Sequence, residues 1–210
     1  MLKVDTLKRI EDSGAMAIVR TETSERGIEI AQACIVGGVD VLEVSYTLPN
    51  AGTVIKDLVE KFGDKLLVGA GTVLDIATAR MAMLAGAKFI VAPNYNEGVA
   101  KICNLYQIAY MPGCTTMSEI TNALEAGAAA IKLFPVANYF GPSIMNVIKT
   151  TMPFVPAMPS GGVTFDNLEE WIKNGAICVG VGSLLAKGSK EQITANAKKF
   201  RESIDKVRAN

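Results

Sequence analysis

Short runs of apolar residues alternate along the chain with longer stretches in which apolar and polar residues are mixed. The mixed stretches, such as residues 25–34 and 75–84, repeat their apolar positions with the period of about 3.6 residues that a half-buried helix requires. The short runs are apolar almost throughout, which is typical of parallel strands covered by helices on both faces. There are eight of them, at residues 17–20, 39–45, 66–72, 89–93, 109–112, 130–135, 155–159 and 177–182.

Glycines mark where several of the predicted helices end. Gly38, Gly86, Gly127 and Gly175 each stand just before the next apolar run, at the position where a helix commonly ends in a left-handed residue. Eight strand–helix units can close on themselves, so we predict an α/β fold: a (β/α)8 TIM barrel with an N-terminal helix, in a single domain over residues 1–210.

An open, doubly wound sheet is the alternative architecture. Such a sheet usually carries a Gly-x-Gly-x-x-Gly turn after its first strand. Residues 20–23 read Arg-Thr-Glu-Thr and contain no glycine. The closed barrel is therefore the favoured prediction, with a leading helix at 2–14 and a closing helix at 190–208.

The composition excludes several classes of function. Lys and Arg number 21, as do Asp and Glu, and no run of like charge favours a nucleic acid or a membrane surface as partner. The chain begins without a signal-peptide pattern and contains no apolar run of the ~18 residues that a membrane span needs, so we expect a cytoplasmic protein. A small dissolved molecule is the expected partner.

The chain has no histidine, which removes Ser-His-Asp catalysis, Cys-His catalysis and His-ligated metals. The four cysteines are widely separated and form no Cys-x-x-Cys pair, so we expect buried thiols rather than disulfides or a zinc site. We predict neither a metal nor a cofactor.

Lys132 is the most unusual residue of the sixth apolar run. By alternation it shares a face with Ala130 and Phe134, and if that face points into the barrel the lysine is desolvated. Desolvation favours the neutral amine, which is the form that attacks a ketone. The alternative is a lysine whose tip reaches solvent or pairs with a carboxylate and takes no part in chemistry.

Glu43 is the corresponding acid of the second run and shares a face with Val41 and Ser45. The second and sixth strands of an eight-stranded barrel lie on opposite sides, so Glu43 and Lys132 can converge on one small ligand. A buried carboxylate beside a lysine is suited to moving protons. A structural ion pair between the two residues is the alternative interpretation.

Further candidates stand at strand ends, where barrels of this kind carry their active sites. Gly71 and Thr72 close the third run in a Gly-Ala-Gly-Thr motif whose backbone and hydroxyl could contact an anion. The loop at 160–162 and Ser183 follow the seventh and eighth runs, the usual place of a barrel's phosphate site. Ordinary tight turns would explain the same glycines. Residues 112–116 should line the same mouth.

These motifs together resemble the family of 2-keto-3-deoxy-6-phosphogluconate (KDPG) and 4-hydroxy-2-oxoglutarate (KHG) aldolases, from about residue 17 to the C-terminus. The segments that carry the resemblance are Ile-Val-Arg at 18–20, Leu-Glu-Val at 42–44, Val-Gly-Ala-Gly-Thr-Val at 68–73, Pro-Gly at 112–113 with Thr115, Lys-Leu-Phe-Pro at 132–135, Pro-Ser-Gly-Gly-Val at 159–163 and Gly-Ser at 182–183.

The resemblance implies a role for each matching residue. Lys132 would form a Schiff base with the keto acid, Glu43 would be the acid/base, and Thr72 would contact the pyruvate carboxylate. A phosphate would be held by Arg20 and the last two loops. The full set of implied substrate contacts is Thr72, Arg20, Thr47, Gly71, Pro112, Phe134, Ser160, Gly161, Gly162 and Ser183. The resemblance also implies a homotrimer.

One departure from the family pattern concerns the substrate carboxylate. Familiar members read Val-Thr-Leu-Arg-Thr after the glutamate, whereas this chain reads Val-Ser-Tyr-Thr-Leu and has Thr47 in place of the arginine. A neutral hydroxyl does not replace a bidentate guanidinium.

The predicted activity is the cleavage of KDPG or 4-hydroxy-2-oxoglutarate to pyruvate plus glyceraldehyde 3-phosphate or glyoxylate. Three alternatives remain open on the sequence: a related pyruvate aldolase with another acceptor aldehyde, a phosphate-binding barrel isomerase or synthase, and a non-catalytic binding protein.

Overall fold

The computed structural model describes residues 2–209, apart from the side chains at positions 136 and 137. Each predicted apolar run contains a strand. The strands are β1 (Ala15–Val19), β2 (Val41–Ser45), β3 (Leu67–Gly71), β4 (Phe89–Val91), β5 (Ala109–Met111), β6 (Gly113–Cys114), β7 (Ile131–Leu133), β8 (Ala157–Pro159) and β9 (Val179–Val181).

Helices fill the connections between the strands. They are α1 (Leu2–Ser13), α2 (Ser24–Val36), α3 (Ala51–Phe62), α4 (Ile76–Leu84), α5 (Glu97–Leu105), α6 (Met117–Glu125), α7 (Val136–Phe140), α8 (Ser143–Thr151), α9 (Leu168–Lys173), α10 (Ser183–Ala186) and α11 (Lys190–Arg208), with a 3-10 turn at Gly63–Lys65. The predicted leading and closing helices are therefore present as α1 and α11. No helix within residues 2–209 is long and apolar enough to cross a membrane.

The strands pair in parallel around a closed ring. One sheet has the order β5-β4-β3-β2-β1-β9 and a second has the order β6-β7-β8. Bridges from Ala157 to Ala176 and from Ser160 to Gly180 join the second sheet to the β9 edge of the first. At the other junction, β5 and β6 are separated only by Pro112. The predicted TIM-barrel-like α/β fold is confirmed.

The fifth strand differs from its sequence-based prediction, which ended the strand at residue 112 and placed the next residues in a loop. Proline has no N–H and interrupts the ladder on one side. Its carbonyl still accepts a hydrogen bond from the Lys132 backbone N at 2.9 Å. The chain therefore stays beside β7 and continues as β6.

The alternation of side chains separates two apolar layers. Residues from the inward-facing positions of the strands form their own buried cluster, which Ile10 of α1 joins. Outward-facing residues such as Leu42 and Val44 belong to a second cluster with the helices. Members of the inner cluster that lie in the strands or directly before them include Met16, Val41, Leu67, Phe89, Met111, Ala130, Met158 and Cys178.

The glycines predicted to end helices adopt the left-handed conformation that this role requires. Gly38 has φ +88° and Gly86 has φ +106°. The connection between α5 and β5 contains no glycine, and Gln107 takes the equivalent conformation there at φ +56°. The helix–glycine–strand repeat is therefore a real feature of the backbone, and α5 is the element where another residue carries the strain.

Candidate active site

Lys132 lies in the middle of β7, and only 7% of the residue is exposed. It follows Ala130 of the inner cluster by two positions, so its side chain projects into the barrel. Its Nζ lies 5.0 Å from the centroid of the Phe134 ring. No ion pair of Lys132 is found among the described residues. The structure thus holds the lysine inside the barrel, beside an aromatic face.

Glu43 lies on β2 and is 1% exposed. It follows Val41 of the inner cluster by two positions and therefore also projects inward. Both carboxylate oxygens are buried and lack a hydrogen-bond partner, so Glu43 makes no ion pair with Lys132. An unpartnered buried polar group costs about 1–3 kcal/mol, and more when it is charged. Such a group is expected at a site kept for function.

Gly71 makes room for the Glu43 side chain. A Cβ atom built on Gly71 would lie 1.7 Å from Glu43 Oε1 and 2.2 Å from Glu43 Cδ. Gly69 plays the same part for another residue, since its Cβ would lie 2.2 Å from the Phe89 ring. The Gly-x-Gly pattern thus has a packing cause within the barrel, in addition to the anion contact that the sequence suggested for Gly71.

Three hydroxyl groups meet where β2 and β3 end. The Ser45 and Thr72 hydroxyl oxygens are 2.9 Å apart, and the Thr47 hydroxyl donates to Ser45 Oγ at 3.3 Å. Thr72 is half-buried and has φ +58°, an uncommon conformation for a β-branched residue and one that concentrates at functional sites. Two of the predicted contact residues, Thr47 and Thr72, are therefore linked through a third residue, Ser45.

The loop after β6 is tied to the lysine strand. The Thr115 hydroxyl donates to the Phe134 carbonyl at 3.2 Å, and Glu119 accepts hydrogen bonds from the backbone N of Thr115 and Thr116 at 2.7 and 2.8 Å. These bonds hold the pKa of Glu119 below its usual value. On the other side of β6, the Pro112 carbonyl accepts a hydrogen bond from the Lys132 backbone N.

The residues predicted to hold a phosphate lie together at the ends of β8 and β9. A cavity of about 500 Å³ is lined by Gly161, Gly162 and Ser183, among others. Ser160, just before these glycines, is buried at 2% exposure and bridges to Gly180. Arg20 is exposed and shares a second cavity of about 210 Å³ with Ser183.

Three residues of the candidate site were not predicted from the sequence. Lys187 lines the cavity that contains Arg20, and Lys199 of α11 lines the larger cavity, with its Nζ 4.1 Å from the Phe165 ring. Neither lysine stands at a strand end, so no local pattern identifies it. Ser45 could have been found, because it shares the inward face of Glu43.

The cysteines are unsuited to nucleophilic chemistry. Burial raises the pKa of the Cys34, Cys103, Cys114 and Cys178 thiols to about 12. A thiol that stays protonated at neutral pH is a poor nucleophile and a poor metal ligand. Within residues 2–209, no group of three or more cysteine, aspartate or glutamate side chains is placed to hold a metal ion.

Comparison with known proteins extends these observations. A protein of Escherichia coli (strain K12) named 2-dehydro-3-deoxy-6-phosphogalactonate aldolase is 34% identical over 196 residues, which cover 90% of this chain and 95% of that protein. A solved structure of KDPG aldolase from Legionella pneumophila, with pyruvate captured at low pH as a covalent carbinolamine intermediate, has a TM-score of 0.80 and 27% identity. The match covers 96% of this chain and 97% of that chain.

A designed protein is similar over the same region. It is a cube-shaped, highly porous cage made by fusing symmetric oligomeric domains, and its chain matches with a TM-score of 0.87 and 33% identity, covering 93% of this chain and 73% of that chain. The family model described as KDPG and KHG aldolase matches residues 7–199. The chain belongs to the KDPG and KHG aldolase family.

Proposed function

We propose that this protein is a Schiff-base aldolase that cleaves a phosphorylated 2-keto-3-deoxy sugar acid into pyruvate and an aldehyde, with Lys132 as the nucleophile and Glu43 as the acid/base. The observation that carries the proposal is that the barrel interior contains both a buried, inward-pointing lysine and a buried carboxylate that has no hydrogen-bond partner. Family membership makes the protein a pyruvate-dependent lyase, and the proposal assigns the chemistry to these two residues.

The reaction begins when the Lys132 amine adds to C2 of the keto acid. Glu43 relays the protons that turn the resulting carbinolamine into a protonated imine with loss of water. The imine is an electron sink, so the electrons of the C3–C4 bond move into it when the C4 hydroxyl loses its proton and the aldehyde leaves. The remaining enamine takes a proton at C3, and hydrolysis releases pyruvate and the free lysine.

The substrate preference follows from the groups at the phosphate end. Arg20, Lys187 and Lys199 supply positive charge around the cavities at the ends of β8 and β9, although the carboxylate of Asp166 also lines the larger one. The phosphate of a phosphorylated six-carbon acid can contact these cations, whereas 4-hydroxy-2-oxoglutarate has no phosphate. The similarity to the galactonate enzyme makes 2-keto-3-deoxy-6-phosphogalactonate a candidate equal to KDPG, and the two differ in configuration at C4.

A retro-aldol assay on a matched substrate panel tests the proposal. The panel contains both phosphorylated acids, their unphosphorylated forms and 4-hydroxy-2-oxoglutarate, with pyruvate release as the readout. We expect at least a tenfold higher kcat/KM for a phosphorylated acid, because removing a charge-assisted contact costs about 1.5–3 kcal/mol. Arg20→Gln should lower that advantage and leave the unphosphorylated acids unaffected. Absence of pyruvate from every substrate would contradict the proposal.

The implied homotrimer is also part of the proposal. Several large apolar side chains are exposed, among them Leu84 on α4 and Leu105 at the end of α5, at 71% and 75% exposure. The two helices that carry these residues pack against each other, and large contiguous apolar patches on a protein surface commonly mark an interaction site. A cage assembled from symmetric oligomeric domains that include a similar chain is consistent with self-association.

A further inference from the structure

The ends of β2 and β3 carry a chain of three hydroxyl groups that the proposed reaction has not yet used. Ser45 occupies its centre and is 1% exposed. Thr47, on the exposed side, donates to Ser45 Oγ at 3.3 Å, and Ser45 Oγ lies 2.9 Å from Thr72 Oγ1. We call Thr47, Ser45 and Thr72 the hydroxyl chain.

The strand ends that carry the hydroxyl chain are fixed to each other. Ser45 is in register with Gly71, and the Tyr46 backbone N donates to the Gly71 carbonyl at 2.8 Å. Thr72 follows directly in its left-handed conformation. Because Ser45 lies two positions beyond Glu43 on the same inward face, the hydroxyl chain lies between Glu43 and the mouth of the barrel.

Counting hydrogens gives the hydroxyl chain a direction. Each hydroxyl has one hydrogen to donate. If Thr72 donated to Ser45, the Ser45 hydrogen would have no acceptor among the described hydrogen bonds, and an unpaired buried donor is costly. Ser45 therefore accepts from Thr47 and donates to Thr72. The Thr72 hydrogen is then left to be donated to a ligand.

A site with this direction selects an acceptor. A carboxylate suits this position, because all of its polar atoms are acceptors. The carboxylate of a 2-keto acid is the one anionic group that must lie near the nucleophile, because it is bonded to the carbon that Lys132 attacks. No arginine or lysine contacts the three hydroxyls in the described hydrogen bonds and ion pairs.

We propose that Ser45 and Thr47 are positioning residues that direct the Thr72 hydroxyl hydrogen toward the carboxylate of the keto acid, in place of a cation. The inference rests on the proposed function of Lys132. It assigns to Ser45 and Thr47 an effect on carboxylate recognition and none on the formation of the Schiff base itself.

Borohydride trapping with two ketones separates these effects. Pyruvate carries the carboxylate and acetone does not, while both can form a reducible imine with the lysine. We expect Ser45→Ala to raise the half-saturating pyruvate concentration for trapping about tenfold, as the loss of an oriented hydrogen bond would, and to leave acetone trapping unchanged. Thr47→Val should raise the pyruvate value about threefold.

Matched variants keep the test interpretable. Thr47 is exposed, so Thr47→Val is expected to fold, and Thr47→Ser should rescue its defect by restoring the hydroxyl. Thr53→Val alters an exposed threonine of α3 outside the site and serves as the control. Equal losses of pyruvate and acetone trapping in Ser45→Ala and Thr47→Val, or no loss with either ketone, would overturn the inference. Failure of the wild-type protein to trap pyruvate would instead overturn the proposed function.

Discussion

At the scale of single residues, the barrel interior is organised around which side chains can occupy the same space. The carboxylate of Glu43 fills the position that a side chain at residue 71 would need. Residue 71 must therefore be glycine, because a side chain from the neighbouring strand occupies the space of its Cβ atom. Its requirement is steric, since Gly71 is not among the residues with positive φ.

Gly71→Ala should therefore act on catalysis. Its Cβ would overlap the Glu43 side chain from Cγ to Oε1, and no hydrogen bond holds that carboxylate in its present rotamer. We expect a loss of turnover of at least about tenfold, because the proposed acid/base would leave its position, and a smaller loss of stability than a clash with a packed aromatic ring causes.

Gly69→Ala is the matched contrast. Its Cβ would lie 2.2 Å from the ring of Phe89, which is completely buried and has no space to move into. We expect a loss of about 1–3 kcal/mol in the free energy of unfolding, as overpacking of a core usually causes. If Gly71→Ala lost as much stability as Gly69→Ala and kept full turnover, the steric account of Gly71 would be wrong.

Glu43→Gln tests the role of the carboxylate itself. We expect turnover to fall by about 10²-fold or more, as removal of a general acid/base usually does. The free energy of unfolding should stay the same or increase, since a neutral amide is cheaper to bury than an unpartnered carboxylate. The measurements are steady-state kinetics and denaturant unfolding. A variant with full turnover and lower stability would make Glu43 a structural residue.

Several site residues could be predicted from the sequence because they stand out from an apolar strand. Lys132 and Glu43 are ionisable residues within apolar runs, and alternation with residues 130 and 41 correctly placed both in the barrel interior. The direction of the Ser45 hydroxyl could not be predicted, because it depends on Thr72, a neighbour from another strand. Lys187 and Lys199 depend in the same way on how helices pack beside β9.

At the scale of elements, α6 shows how a helix start is coupled to the site. Glu119 completes a capping box with Thr116 and also accepts a hydrogen bond from the Thr115 backbone N. Thr115 in turn binds the Phe134 carbonyl of the lysine strand. The first turn of the helix therefore fixes the loop that contacts the lysine strand.

Glu119→Gln should produce a pH-dependent loss of stability. Hydrogen bonds from backbone N–H groups lower the pKa of Glu119 in the folded state. The stabilisation is therefore present above the unfolded-state pKa of about 4.3 and is lost as the pH falls through the lower folded-state pKa. Because the residue is exposed, we expect only about 0.5 kcal/mol at pH 7.

The comparison is made by denaturant unfolding at neutral pH and in acid below the folded-state pKa. Glu125→Gln, at the end of the same helix, is the control. The difference between wild type and Glu119→Gln should disappear in acid. A difference that stays constant with pH would show that the carboxylate charge contributes nothing to the cap.

The elements themselves were largely predictable, because each apolar run and each amphipathic stretch is a local signal. The helix-ending glycines confirm this at Gly38 and Gly86. The continuation of the fifth strand beyond Pro112 was not predictable. It depends on the hydrogen bond between the Pro112 carbonyl and Lys132, which joins residues 20 positions apart.

At the scale of the whole molecule, the barrel interior has one end filled with apolar side chains and another end that carries the candidate active site. Apolar side chains fill the inner cluster, and Ile10 of α1 joins it. The inward positions that follow along β2 and β7 are occupied by Glu43 and Lys132. The polar strand ends and glycine loops then surround the mouth, which is where a barrel of this fold places its chemistry.

Oligomerisation belongs to the same scale. If the exposed apolar side chains of α4 and α5 are covered by copies of the chain, light scattering should give a mass of about 67 kDa, three times the 22.3 kDa of one chain. Leu105→Glu should lower that mass, because it would place a charge in an apolar interface, whereas Val36→Glu, an exposed apolar residue at the end of α2, is the matched control. A mass near 22 kDa for the wild type would contradict the trimer.

The most direct test of the account is the identity of the residue that becomes covalently attached to pyruvate. The wild-type protein is incubated with pyruvate and borohydride, digested and analysed by mass spectrometry, beside Lys132→Ala under the same conditions. We predict one reduced pyruvyl group per wild-type chain, on the peptide that contains Lys132, and none on the variant. An adduct on another lysine, such as Lys88 or Lys149, or unchanged labelling of Lys132→Ala, would contradict the central claim.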